Sequence, residues 1–338
     1  MSSLPGRMRV PDLPPTLEVG EPMPDWTNAA RKPLLVISGP TCSGKSALAI
    51  RLASALAAEI VNADSVQLYR GLVIGAAKTP PEHRRGVPHH LLDVLEPGEI
   101  ASAGSWTAMA AAAIGDIWSR GKLPIIAGGT GFYIRCLLEG IPAAPARDEQ
   151  LRERLRRAES RRPGFLVRAL RLFDPGRASQ IHPHDVNKLL RALEICILAR
   201  KPASSLVAAP QTILDGHQHV CLVLNPPREA LHRRIAERAK AMFSAGLVSE
   251  VQGLLAQGIP ASAKVFESIG YKESLAVIQG RLNEQQAIDA VSLATRQYAK
   301  RQTTWFRKEK NCFWINSFGD SDEAFQQALD QANQLLLR

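Results

Sequence analysis

From Lys32 the chain runs through Pro33, Leu34, Leu35, Val36 and Ile37 before it reaches Ser38 and Gly39. An apolar run of that kind, stopping at glycine, predicts a strand buried on both faces of a parallel sheet. KSALAIRLASALAAE follows with helical spacing, and EIVNADS is a second strand that ends in polar residues. SWTAMAAAAIGDIWSRG predicts an alanine-rich helix closed by Gly121, and LPIIAGGTG a third strand ending in glycines. Strand, helix and strand alternate, so this half is α/β, a parallel β-sheet flanked by helices. Ligands on such sheets bind beyond the carboxyl ends of the strands. GPTCSGKS, DSVQ and GGTG all fall at those ends, and three polar clusters on one rim predict one site.

The pattern changes after EGIPAAPA. Leu151 to Arg171 holds eight arginines at helical apolar spacing with no strand signal, and NKLLRALEICILAR continues the helices. HVCLVLNP, residues 219–226, reads as a strand returning to the sheet, and CFWINSF as a last strand. The expected organisation has three parts. Residues 1–31, with six prolines and little periodicity, read as a disordered tail. Residues 32–142 and 201–338 form the α/β core with basic C-terminal helices. Residues 143–200 form an inserted all-helical domain.

Composition narrows the partners. The 338 residues are 45% hydrophobic but only 5% aromatic, so the core must be mostly Ala, Leu, Ile and Val. A net charge of +10 favours an anionic partner. The five cysteines are scattered and lack a CxxC pair, which argues against a disulfide framework or a zinc site and fits a reducing cytoplasm. No apolar run reaches the roughly 18 residues that span a bilayer, so no membrane partner is expected. His89 and His90 read as structural. His182 and His184 flank a proline without a third ligand, which predicts no metal site.

Gly39, Pro40, Thr41, Cys42, Ser43, Gly44, Lys45 and Ser46 fit G-x-x-x-x-G-K-[ST], the phosphate loop (P-loop) of nucleotide- and ATP-binding proteins. Its backbone N–H groups and the following helix N-terminus hold phosphate oxygens, Lys45 adds a charge, and the Ser46 hydroxyl can reach Mg²⁺. Cys42 fills a slot read as requiring only a small residue. No later strand ends in the acid that a Walker B position would supply. The acid on the rim is Asp64, able to bind Mg²⁺ or act as a general base. Near the C-terminus, TRQYAKRQTTWFRKEK packs Arg296, Lys300, Arg301, Arg307, Lys308 and Lys310 among Tyr298, Trp305 and Phe306. Cations there suit phosphates, and the aromatics either stack on bases or brace the fold.

These stretches together resemble the tRNA dimethylallyltransferase (tRNA isopentenyltransferase) family, bacterial type, from about Leu34 to Asn316. GPTCSGKSALA, NADSVQLYRGLVIGAAK, VPHHLLDV, PIIAGGTGFYIRCLLEGI, NKLLRALEI, RIAERAKAMFSAGLVSEV, SIGYKE and AKRQTTWFRK carry the resemblance, in that order. It implies that the loop holds the diphosphate of dimethylallyl diphosphate as a leaving group. The acceptor it implies is the exocyclic amine of the adenine 3′ to the anticodon, adenosine 37, in tRNAs reading codons that begin with U. Asp64 then takes the general-base role, Lys45 and Mg²⁺ stabilise the diphosphate, and Thr130 lies near diphosphate and acceptor. Ser65, Val66 and Gln67 meet the base, and Arg152 lies at the reaction channel. The segment Asn187, Lys188, Leu189, Leu190 and Arg191 contacts tRNA. The helical insertion and the basic helix with Arg296, Lys300 and Arg301 grip the anticodon stem-loop, for which a monomer suffices.

Two departures from the family pattern stand out: Ala76 where threonine is usual, and Asn187-Lys188 where Gln-Arg or Arg-Arg is usual. The zinc finger of eukaryotic members is absent from the sequence. The alternatives are an adenine-nucleotide prenyltransferase, which needs no basic helices, a small-molecule P-loop kinase, and a non-catalytic RNA-binding protein, which has no use for an intact loop and Asp64.

Overall fold

The computed structural model describes residues 32–140, 144–206, 214 and 216–337. Segment 1–31, read above as a disordered tail, lies outside them, as does residue 143, the expected start of the insertion. Two compact units divide the chain. One takes in the chain up to Ile134 and from Gly216 onward; the other is Arg135–Asp215, longer at both ends than the expected 143–200.

In chain order the elements begin with β1 (Lys32–Ser38), α1 (Lys45–Ala55), β2 (Glu59–Asn62) and a two-residue β3 (His89–His90). Then come α2 (Ala103–Ser119), β4 (Pro124–Ala127) and α3 (Gly131–Glu139). The second unit holds α4 (Glu149–Arg161), α5 (Phe165–Phe173), α6 (Pro175–Gln180) and α7 (Val186–Ala199). The chain returns to the first unit as β5 (His217–Leu224), α8 (Arg228–Ser244), α9 (Leu247–Ala256), α10 (Tyr271–Ile278), α11 (Glu284–Phe306), β6 (Cys312–Ile315) and α12 (Asp322–Leu336).

The sheet is the expected parallel one, in order β3-β2-β4-β1-β5-β6, with every pair parallel. β1 is central, and Leu34 to Ile37 are fully buried, as a run apolar on both faces requires. α1, α2 and α12 pack on the sheet. The strand at 217 starts two residues before the predicted 219 and stops at Leu224, ahead of Pro226-Pro227. β3 was not foreseen: two residues carry no periodicity, and it is held by pairing Ile60 with His89.

In the second unit, Asp148, Asp174 and Asp185 cap α4, α6 and α7, accepting from Leu151, Arg177 and Lys188 N–H at 2.9, 2.9 and 3.2 Å. Leu151, Leu155, Leu166, Leu170, Leu190 and Leu193 then form its core.

At the start of β2 the Glu59 carboxylate is buried, accepting from Arg120, from Lys122 at 3.0 Å and from His90 at 2.7 Å. Burial alone would raise its pKa, but these partners outweigh it and pull the group down to about 2. A carboxyl depressed in the folded state contributes stability above its ordinary value and loses it as pH falls. Glu59→Gln is therefore expected to cost about 2 kcal/mol at about pH 7. The difference from wild type should shrink below about pH 4.5 toward 2, which urea unfolding of both proteins across that range checks.

Candidate active site

The loop leaving β1 is shaped by two glycines. Gly39 has φ 137°, and a Cβ there would lie 2.7 Å from the Leu224 carbonyl of β5. Gly44 has φ 90°, and its Cβ would meet the Gly319 N at 2.8 Å. Between them Cys42 is left-handed at φ 64°, so its slot constrains the backbone more than the sequence suggested. Gly319 N–H donates to the Ser43 carbonyl at 2.9 Å, fastening the loop that follows β6 behind the cradle. α1 begins at Lys45, and Ser46 is exposed at its first turn. The Lys45 ammonium donates to the Pro40 carbonyl at 2.7 Å. Burial lowers its pKa to about 8, with the Asp64 charge pulling the other way.

The turn after β2 is pinned from three sides. Trp106, fully buried in α2, donates its indole N–H to the Asn62 carbonyl at 3.0 Å. The Asn62 side chain accepts from Asp64 N–H at 3.0 Å and donates to the carbonyls of Asp64 and Leu91 at 3.1 and 3.0 Å. Asp64 Oδ1 accepts from Val66 N–H at 2.9 Å. Thr130, expected beside the reacting groups, braces this turn: its hydroxyl accepts from Ser65 N–H at 3.2 Å, and its own N–H donates to the Ala63 carbonyl at 3.1 Å.

Gln67 donates from Nε2 to the Ala76 carbonyl at 3.1 Å. The Ala76 loop is itself clamped, because Glu250 of α9 accepts from the N–H groups of Val73 and Ile74 at 3.2 and 2.7 Å. Tyr271 donates to Glu250 at 2.7 Å and accepts from Ala76 N–H at 3.1 Å. The position's departure from threonine thus leaves these backbone anchors in place.

One cleft of about 880 Å³ is lined by Thr41, Cys42, Gly44, Lys45 and Ser46 of the cradle and by Asp64, Ser65, Val66 and Gln67. Arg234, Arg238, Tyr298, Arg301 and Asp320 also line it, as do Glu237 and Glu267. Arg238 approaches the Cys42 sulfur at 3.5 Å. Arg234 holds Asp320 in a bidentate pair, both distances 2.9 Å, and that pairing keeps the Asp320 carboxyl below the usual range. Burial, with the Asp64 charge adding to it, pushes the Tyr298 phenol up to about 12, so it remains a donor at neutral pH.

The expected residues therefore divide. Cradle, Asp64, Ser65, Val66 and Gln67 come together, and Arg301 joins them at the wall. Arg296 and Lys300 are exposed on the same helix, α11. Arg152, Asn187, Lys188, Leu189, Leu190 and Arg191 belong to the second unit. There Leu189 and Leu190 point into the core, a correction to their expected place in a contacting segment: at helical spacing they are its apolar face. Asn187 and Lys188 are exposed. Arg152 is buried against Glu194 at 3.2 Å, and Arg191 reaches the same carboxylate at 2.7 Å. Of the C-terminal aromatics, Tyr298 lines the cleft, while Phe306 and Trp305 pack in the fold. Phe306 is buried, and Trp305 packs on Gly131 and meets Phe132 edge-on at 6.3 Å.

Arg234 and Arg238 were missed, although their i, i+4 spacing was a visible cue to one helix face. Gln302 gave no cue. It is buried in α11, where its carbonyl accepts from Thr41 N–H at 2.8 Å and its amide donates to the Gly129 carbonyl at 3.0 Å.

A parallel sheet with an anion cradle at its carboxyl edge and a carboxylate across the same cleft defines a P-loop protein with a phosphate-binding site. A family model described as IPP transferase matches residues 67–309. The chain is 48% identical over 304 residues to a tRNA dimethylallyltransferase of Solibacter usitatus, covering 90% of this chain and 99% of that one. Among solved structures it is similar to the full-length tRNA isopentenylpyrophosphate transferase of Bacillus halodurans, at 33% identity and TM-score 0.68 over 90% of this chain and 97% of that one. It is also similar to a eukaryotic dimethylallyltransferase acting on tRNA, at 28% identity and TM-score 0.78 over 90% and 80%. The chain belongs to the tRNA dimethylallyltransferase family, and it is a prenyltransferase.

Lys45→Met is expected to weaken inorganic pyrophosphate binding about 10–100-fold, the worth of a charge-assisted hydrogen bond. Against Lys45→Arg, whose charge persists, wild-type affinity should fall as pH rises through about 8; calorimetric titration over that range checks both.

Proposed function

We propose that the protein transfers the dimethylallyl group of dimethylallyl diphosphate to the exocyclic amine of adenosine 37, 3′ to the anticodon, in tRNAs reading codons that begin with U. The observation that carries this reading is the single cleft that joins the phosphate loop to Asp64. The activities named for its relatives support the donor and the tRNA acceptor.

The allylic C–O bond breaks to a delocalised cation, and the diphosphate takes the electron pair. Lys45 and the loop stabilise that charge, with Arg238 close beside the cradle. The adenine nitrogen forms the new C–N bond and gives its proton to the Asp64 carboxylate. Gln67, anchored through Ala76, positions the base. The site suits Mg²⁺ shared with a diphosphate: the exposed Ser46 hydroxyl would hold the ion together with phosphate oxygens and water, which leaves the Asp64 carboxylate to take the proton. Bound there, the ion would act as a Lewis acid on the leaving group.

An adenine stacked in an anticodon loop must be flipped out to enter the cleft. Arg296, Lys300 and Arg301 of α11, with Asn187 and Lys188 of the second unit, are the surface groups for the stem-loop phosphates. Arg152 and Arg191 serve by ordering that unit around Glu194. Among the described residues no helix is long and apolar enough to cross a membrane. A tRNA acceptor suits a cytoplasmic enzyme, and a monomer suffices for one stem-loop.

Radiolabel from dimethylallyl diphosphate, supplied with Mg²⁺, should enter unmodified tRNA and neither AMP nor ATP. Asp64→Asn should lower kcat about 10²–10⁴-fold while pyrophosphate binding stays within about threefold. Label in the free nucleotide instead would assign the protein to the adenine-nucleotide prenyltransferases.

A further inference from the structure

Gln302 hydrogen-bonds both the leaving-group cradle and the strand end beside Asp64. Its two partners, Thr41 and Gly129, lie 261 and 173 residues away in the chain. The fit is tight: a Cβ on Gly129 would lie 2.1 Å from the Gln302 amide nitrogen. Because Thr41 N–H is turned to Gln302, that N–H is committed to the protein rather than to phosphate. Gly129 leads directly into Thr130, which holds the Ser65 amide and so the Asp64 turn. Tyr298, one turn earlier on α11, lines the cleft. A single helix face thus reaches both halves of the reaction.

We infer that Gln302 is a positioning residue that sets the separation between the diphosphate cradle and the general base. This rests on the reaction proposed above, in which the allylic carbon must sit between those two groups. A primary amide is required because one partner is a donor and the other an acceptor. Methionine matches the shape and supplies neither bond. A glutamate carboxylate accepts from Thr41 but sets a second oxygen against the Gly129 carbonyl, and protonation restores the missing donor. A misplacement of about 1 Å between reacting groups is enough to lose about 10²-fold in rate.

The test compares Gln302→Met and Gln302→Glu with wild type, with kcat expressed per pyrophosphate-binding site so that misfolded protein does not count. Gln302→Met should lose about 10²-fold in kcat, with KM for both substrates within about threefold. The activity of Gln302→Glu relative to wild type should climb as pH drops from about 8 to about 5.5, because a buried carboxyl protonates in that range; Gln302→Met should show no such recovery. Wild-type kcat per site in both variants, or a loss in Gln302→Glu that ignores pH, would overturn the inference.

Amide hydrogen exchange reads the clamp without the reaction. Protection over residues 39–43 and 128–131 should fall together, about tenfold, in Gln302→Met. If wild type itself prenylates no tRNA, the proposed reaction fails, and exchange still decides whether Gln302 joins the two loops: unchanged protection removes it.

Discussion

The site depends on how closely the chain ends beyond β1, β2 and β4 can approach one another. Parallel strands lie side by side at a fixed spacing, and the loops leaving them must fit into the little space above the sheet edge. At Gly128 the fit leaves no room for a side chain, since a Cβ would fall 2.2 Å from the Ala63 carbonyl. Ser38 adds to the contact by donating to the Gly128 carbonyl at 2.7 Å. Ala63 precedes Asp64, and Ser38 precedes the cradle. The close approach of these backbones therefore places the base and the anion site in one cleft.

Around that point the fold uses the rest of the chain as scaffolding. The loop after β6 backs the cradle through Gly319, and Asp320 holds Arg234 at the cleft wall. α9 and α10 hold the 73–76 loop through Glu250 and Tyr271, and through that loop Gln67. α11 crosses the gap with Tyr298 and Gln302. Most of these contacts are backbone hydrogen bonds to side chains from remote segments, which position without contributing to the chemistry themselves. Rigid support of this kind is what charge stabilisation of a leaving group needs, because dipoles already in place cost no reorganisation as the bond breaks.

The basic residues serve different ends. Arg120 neutralises Glu59 at the far end of β2, and Arg152 neutralises Glu194 inside the helical unit. Arg234 and Arg238 face the anion site, while Arg296 and Lys300 stay in solvent. A net charge of +10 thus combines fold, site and surface contributions, and only the last is available to a large anionic partner.

The sequence by itself determined the parallel sheet, the phosphate loop and Asp64. Each has a local signature: an apolar run on both faces, glycines at fixed spacing, a polar turn directly after a strand. It also supplied enough ordered motifs to mark the family. Tertiary structure alone decided that Thr130 holds the Ser65 amide, that Leu189 and Leu190 are core, and that Gln302 is buried between the cradle and the end of β4. A glutamine amid lysines and arginines on a helix reads as solvated until its partners are known. Those partners are a backbone N–H and a carbonyl, groups every residue carries, so no pattern in the chain could single them out.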